Sequence, residues 1–241
     1  MAPRFYVPPP LAAGTQYDLP AGCARHVQVL RLQPGDAITL FDGSGGEWSA
    51  QVSRIGRSAV SALIGEQVHT SRELGFDVTL AIGMPANDRM DGVVEKATEL
   101  GVRCIQPLVC ERSVLRLHGE RADKKVAHWQ AIAAAASEQC GRTRVPTVQP
   151  VRTLPLWLHG LPLAAAERRC VLSLRTDSAA GGLGAVACGQ RVLFLSGPEG
   201  GLSEAEETAA LATAFQAVSL GPRVLRADTA PLAALAAVGQ R

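Results

Sequence analysis

Ser196-Gly197-Pro198-Glu199-Gly200-Gly201, set between the apolar run Val192-Leu193-Phe194-Leu195 and the segment Leu202-Ser203-Glu204-Ala205-Glu206, decides how this chain is read. The pattern is strand, sharp loop, helix start. Glycine permits backbone angles and close approach that a Cβ forbids, Pro198 stiffens the turn, and Ser203 with Glu206 forms a capping-box pattern. Such a loop can press its own N–H and C=O groups against a ligand. A second loop follows at Ser219-Leu220-Gly221-Pro222-Arg223-Val224-Leu225-Arg226-Ala227-Asp228-Thr229-Ala230. Either loop alone is an ordinary β-to-α turn. Two of them leaving neighbouring strands would line one pocket.

Outward from these loops, apolar runs alternate with helical periodicity back to Phe76, which predicts a parallel sheet covered by helices on both faces. The first helix is predicted to follow Asn87 or Asp88 as N-cap. Met90, Val93, Val94, Ala97 and Leu100 fall on one stripe, and Gly101 ends the helix. A strand over Val102 to Leu108 leaves Arg112 just past its carboxyl end, where open α/β sheets place ligands. A helix over Asp123 to Cys140 buries Val126, Trp129, Ala133, Ala136 and Cys140. Arg142 and Arg144 lie beyond its C-terminus, a favourable place for cations in any protein because they compensate the helix dipole. Residues 151 to 167 carry little signal. Strands are expected at Cys170 to Leu174, 192 to 195 and around Ala217 to Ser219, with a last helix from Thr229 to Val238.

Residues 1 to about 70 read differently, as short strands at Arg4 to Val7, Ala37 to Phe41, Trp48 to Val52 and Ala59 to Ile64, separated by Gly- and Asp-rich turns. This is a small β-barrel signal, with a helical piece at Cys23 to Leu30. A polar stretch from Thr70 to Gly75 marks the hinge, so the expected division is 1–72 and 73–241.

The chain has 241 residues, 47% of them hydrophobic, and a net charge of +2. That supplies a sizeable core without disulfides and too little charge to announce a nucleic-acid binder. The six cysteines show no C-x-x-C pair and no zinc spacing, so reduced thiols and no metal site are expected. No signal-peptide core or membrane-length apolar run occurs, which points to the cytoplasm and to no membrane partner. Lys96, Lys124 and Lys125 are the only lysines, so nearly every cation is arginine, which binds phosphate bidentately and stacks on bases. No P-loop, His-Glu-x-x-His, Gly-x-Ser-x-Gly or dinucleotide fingerprint is present.

Taken in order, the two loops resemble the closing motifs of the RsmE family, bacterial SPOUT-class methyltransferases acting on N3 of a uridine in 16S ribosomal RNA. The family reads approximately Gly-Pro-Glu-Gly-Gly and then Leu-Gly-x-x-Ile/Val-Leu-Arg-Thr-Glu-Thr-Ala; Ala227 and Asp228 depart from it here. The resemblance extends to the His26-to-Gly43 segment, Lys96 to Val102, Glu111-Arg112-Ser113 and Glu138 to Pro146. It implies a PUA-like RNA-binding barrel followed by a SPOUT (class IV) α/β domain with a parallel sheet and a deep trefoil knot. It further implies S-adenosyl-L-methionine held, mostly by backbone, at Leu172, Ser173, Leu174, Ser196, Gly197, Pro198, Glu199, Gly200, Gly201, Ser219, Leu220, Gly221, Val224 and Leu225. Arg226 and Arg112 are expected to stabilise a uracil anion, with Glu138 or water as proton acceptor. Arg4, Arg25 and Arg31, with Lys96 and Arg142 near the target, are expected to hold RNA. A homodimer on 16S RNA in the small subunit, with no DNA partner, completes the reading. The rivals are a SPOUT enzyme for a ribose 2′-hydroxyl and a noncatalytic ribosome-assembly factor.

Overall fold

The computed structural model describes residues 2–57, 59–86, 89–162, 167–174 and 191–239. They divide into two compact units, Met1–Glu73 with Ala134–Val145, and Leu74–Ala133 with Pro146–Arg241.

The first unit carries β1 (Arg4–Tyr6), β2 (Gln16–Asp18), α1 (Ala21–Val29), β3 (Ala37–Phe41), β4 (Glu47–Ile55) and β5 (Val60–Val68) in one sheet of order β1-β3-β4-β5-β2. β1 lies parallel to β3 and the other pairs are antiparallel. Along β4, Trp48, Ala50 and Val52 are buried and alternate with exposed Ser49, Gln51 and Ser53, as a sheet covered on one face requires. Phe5, Val27, Ile38, Leu40, Val60 and Ile64 complete that core. The three-residue β2 has no apolar alternation, so no strand is predicted there. Its register is set instead by pairing with β5, Tyr17 opposite Ala62.

The segment Ala134–Val145 joins this unit through charge. Arg4 is ion-paired with Glu47, its guanidinium sits 5.1 Å above the Phe41 ring, and its Nη2 donates to the Arg142 carbonyl at 3.1 Å. Arg72 Nη1 donates to Glu47 Oε2 at 3.2 Å and to the Gly141 carbonyl at 2.8 Å. Arg142 meets Glu73 through Nε and Nη2, at 3.1 and 2.5 Å from Oε2. The compact units part between Glu73 and Leu74, and the first also includes Ala134–Val145.

The second unit contains β6 (Val78–Gly83), α2 (Arg89–Glu99), β7 (Cys104–Val109), α3 (Gly119–Cys140, shared with the first unit beyond Ala133), β8 (Thr147–Val148), β9 (Arg152–Thr153) and α4 (Leu154–His159). Then come β10 (Glu167–Leu172), β11 (Arg191–Ser196), α5 (Glu204–Ala212), β12 (Gln216–Val218) and α6 (Thr229–Gly239). The sheet order is β12-β10-β11-β6-β7-β8, all parallel, with β9 also paired to β7. Such a sheet needs both faces covered, and the near-unbroken burial of β6, β7 and β11 reflects that. Met90, Val93, Val94 and Ala97 form the buried stripe of α2, and Gly101, at φ +95, ends it. The Asn87 or Asp88 cap lies outside the described residues. α2 is tied to α3 through Asp91, which accepts the Trp129 indole N–H at 2.9 Å and lies 2.7 Å from His128 Nε2. α3 begins four residues before the predicted start, after Leu117. The expected trefoil knot falls on a part of the chain that includes residues 175–190, which lie outside the described residues. No helix among the described residues is long and apolar enough to cross a membrane.

Candidate active site

β12, β10 and β11 are neighbours and parallel, with Leu172 opposite Val218 and Val171 opposite Leu195. Their carboxyl ends therefore share one edge, and the three segments leaving them face a cavity of about 610 Å³. That volume lies within the range of about 300–1,000 Å³ usual for small-molecule sites. Leu172, Ser173 and Leu174 line it after β10, Ser196 to Gly201 after β11, and Leu220, Gly221, Val224 and Leu225 after β12. Of the residues expected to hold the cofactor, Ser219 alone is not in the lining. Its hydroxyl instead accepts the Gly221 N–H at 3.2 Å and shapes the second turn.

The first loop is held open by close backbone packing. A Cβ on Gly197 would stand 2.7 Å from the Leu202 nitrogen and 2.8 Å from the Gly201 carbonyl carbon, and one on Gly200 would meet Arg112 Cβ at 2.9 Å. Pro198 packs against the end of β6, where a Cβ on Gly83 would meet its ring at 2.6 Å. The capping box of α5 is present, with Ser203 Oγ accepting the Glu206 N–H and Glu206 Oε2 accepting the Ser203 N–H at 3.0 Å. Glu206 Oε1 also accepts the Glu111 N–H at 2.8 Å, tying the loop after β7 to the start of α5. Arg112, on that loop, donates from Nη1 to the Gly200 and Leu202 carbonyls at 3.0 and 3.4 Å. Glu199 turns away from the glycines to accept the Ala86 N–H at 2.8 Å and pairs with Arg89 at 3.4 Å.

Four cations line the cavity, Arg89, Arg112, Arg223 and Arg226. Arg112 and Arg226 are the two expected from sequence. Arg226 is exposed and lines the cavity, and its carbonyl accepts the Thr229 and Ala230 N–H groups at the start of α6, which fixes its backbone there. Arg89, Leu202, Val218 and Glu207 are lining residues that sequence reasoning missed. Arg223 stood in the quoted second motif, and Glu207 read as one more acid in the first turn of a capped helix.

Glu138 belongs to the first unit, where its Oε1 accepts the Tyr6 N–H at 2.7 Å. Burial raises the pKa of its carboxyl, an effect that hydrogen bonding from Tyr6 and the charges of His26 and Arg4 reduce without cancelling. Two of the expected RNA contacts need correction. The side chains of Arg4 and Arg142 are only 7% and 3% exposed and are spent on Glu47 and Glu73, so neither presents a face to a nucleic acid. Arg25 and Arg31 are exposed, Arg31 with a left-handed φ of 55° at the end of α1. Lys96 is exposed and paired with Glu95 and Glu99 at 2.7 and 2.9 Å, pairs that outweigh desolvation and raise its pKa.

Residues 72–239 match the RNA methyltransferase domain family, and residues 24–65 match the RNA methyltransferase PUA domain family. Ribosomal RNA small subunit methyltransferase E of Bacillus subtilis is 34% identical over 219 residues, covering 88% of this chain and 84% of that protein. The Synechocystis protein of the same name is 34% identical over 99% of this chain and 77% of its own length. Among solved structures, that of a ribosomal RNA small subunit methyltransferase E from Neisseria gonorrhoeae bound to S-adenosyl methionine superposes with a TM-score of 0.91. It is 38% identical and covers 100% of this chain and 98% of its own.

Proposed function

The chain belongs to the ribosomal RNA small subunit methyltransferase E family, and on that premise we propose that it methylates N3 of one uridine in 16S ribosomal RNA of the small subunit. It is an S-adenosylmethionine-dependent ribosomal RNA methyltransferase of the SPOUT class with a PUA-like domain. The observation that carries the finer reading is the one cavity that both glycine loops, Arg112 and Arg226 line together.

The residues present fit the cofactor. The Ser196 hydroxyl is buried in the lining without a hydrogen-bond partner, a state a bound polar ligand would relieve. Gly197 and Gly200 keep clear a cradle that side chains would fill. Leu172, Val218, Leu220 and Leu225 give it apolar walls. When bound, S-adenosylmethionine supplies an electrophilic methyl group on a sulfonium sulfur. The backbone of the two loops would hold it, and fixing both reactants at one edge of a rigid sheet removes the entropic cost of their encounter.

Uracil N3 keeps its proton at neutral pH, so the site must favour its loss. We assign that work to Arg226, whose guanidinium makes no hydrogen bond or ion pair among the described residues and would stabilise negative charge spreading onto the uracil carbonyl oxygens. Arg112 spends Nη1 on the loop carbonyls and has its remaining N–H groups for the same anion. Arginine stays protonated and is no base. Water is the assigned proton acceptor, because Glu138 is not among the residues that line the cavity. Exposed Arg25 and Arg31 are the RNA contacts we retain in that unit. The homodimer and a cytoplasmic location are part of the proposal. Leu174 and Val224, 68% and 78% exposed at the cavity, are apolar surface that a bound cofactor or a second copy would cover.

The test incubates the protein and labelled S-adenosylmethionine with small ribosomal subunits and, separately, with stripped RNA, and maps the methyl group by mass spectrometry. The expected product is N3-methyluridine at one position. A 2′-O-methyl nucleoside would move the enzyme to another SPOUT reaction, and no transfer to either substrate would favour a binding factor. Arg226→Ala is expected to lower the methylation rate roughly 100- to 1,000-fold, the usual cost of removing one preorganised stabiliser of transition-state charge. Cofactor affinity should stay near its native value in calorimetry, and full activity in the variant would remove Arg226 from the mechanism.

A further inference from the structure

Glu207 sits one residue past the capping box on α5, and its backbone N–H donates to the Ser203 carbonyl at 2.9 Å. Its side chain turns to the cofactor cavity, where Oε1 accepts the Ser173 hydroxyl at 2.5 Å. Ser173 is itself 9% exposed and anchored by its backbone N–H to the Val218 carbonyl at 3.1 Å, so the pair is fixed at the ends of β10 and β12. Among the described residues Glu207 makes no ion pair, although four arginines line the same cavity. A carboxylate offers about four acceptor sites, and among the described residues the Ser173 hydroxyl is the side-chain donor that meets it. Beside apolar Leu172 and Val218, acceptor capacity without donors is costly unless water or a ligand supplies them.

We propose that Glu207 is a further cofactor-binding residue, its carboxylate accepting a hydrogen bond from a ribose hydroxyl of the adenosine moiety. This rests on the cofactor reading above. The choice of ribose follows from chemistry. Vicinal hydroxyls are O–H donors that match a carboxylate's two oxygens, and an acidic side chain at the edge of a parallel sheet serves that purpose in other nucleotide sites. The adenine amine, by contrast, can be met by the backbone carbonyls of the two loops. Ser173 acts as a positioning residue, holding the carboxylate toward the cavity.

The test is calorimetric and needs no turnover. Native protein, Glu207→Gln and Glu207→Ala are titrated with S-adenosylhomocysteine and with its 2′-deoxy and 3′-deoxy forms. Native protein should bind one deoxy form roughly ten- to a hundredfold more weakly than the parent, the usual worth of a hydrogen bond to a charged group. Glu207→Ala should bind the parent that much more weakly and lose the discrimination, while Glu207→Gln, which keeps a carbonyl acceptor, should fall between. Thermal unfolding without ligand checks the fold, and if the alanine variant is unfolded the isosteric glutamine variant carries the comparison. Native affinity in the folded variants, or a deoxy penalty that persists in them, overturns the proposal. Failure of native protein to bind S-adenosylhomocysteine at all overturns the cofactor reading itself, an outcome distinct from indifference to the ribose hydroxyls.

Discussion

Gly197→Ala is expected to weaken cofactor binding by about 100-fold or more, measured by isothermal titration with S-adenosylmethionine. The added methyl would lie 2.7 Å from the Leu202 nitrogen, 2.8 Å from the Gly201 carbonyl carbon and 3.1 Å from Gly201 Cα. All three are backbone atoms of the same loop, so no flexible side chain can swing aside. Relief requires the loop to open between β11 and α5, and overpacking of this kind costs about 1–3 kcal/mol even before ligand contacts are lost. The loop is also pinned from outside, through Arg112 on the Gly200 and Leu202 carbonyls and Glu206 on the Glu111 N–H. Strain at Gly197 is therefore transmitted to the N–H and C=O groups that face the cavity. Unaltered affinity would mean that the loop is not the cofactor's cradle.

Arg4→Ala is expected to destabilise the first unit by roughly 3–5 kcal/mol. The reason is the partner left behind. Glu47, whose side chain is 12% exposed, would keep only Arg72, which is itself 41% exposed. At about 2–4 °C per kcal/mol for a chain of this size, the unfolding midpoint should fall by roughly 10 °C, read by calorimetry. A loss below about 1 kcal/mol would place the pair in the class of weak surface bridges.

The same pair sets an acid limit. Burial pushes the Glu47 carboxyl upward, but the hydrogen bonds and charges of Arg4 and Arg72 outweigh it and hold its pKa below the ordinary 4.5. A depressed carboxylate stabilises the fold fully above its unfolded pKa, and that contribution disappears as pH falls through the folded value. Glu47→Gln should therefore flatten the loss of stability below about pH 4.5. An unchanged acid limb would assign that loss to other carboxylates.

The cofactor site was legible because it is built from main chain. Glycine and proline at fixed places after apolar runs predict loop geometry directly, and those loops do share a cavity. Charged side chains were less legible, since sequence displays a charge and hides its burial. Arg4 and Arg142 look like free cations until Glu47, 43 residues from Arg4, and Glu73, 69 residues from Arg142, are brought to them by the fold. Glu207 was hidden for a related reason, because an acid in the first helical turn already has a sufficient local explanation. Residues 151 to 167 gave no signal, yet Leu154, Trp157 and Leu158 of α4 are buried against Leu108, Leu193 and Leu195. A six-residue helix is too short to show a period.

The claim of Ala134–Val145 on the first unit bears on the order in which the protein can be made. Strands β1 to β5 leave the ribosome before Leu74–Ala133, but the contacts of Arg72 with the Gly141 carbonyl and of Glu73 with Arg142 close only when residues 141 and 142 have also emerged. The leading unit must therefore wait, incompletely tied, through the synthesis of residues 74 to 133, whereas domains usually fold as they appear. A nascent chain halted before residue 134 holds Arg4 and Glu47 but still lacks Arg142, the arginine that meets Glu73.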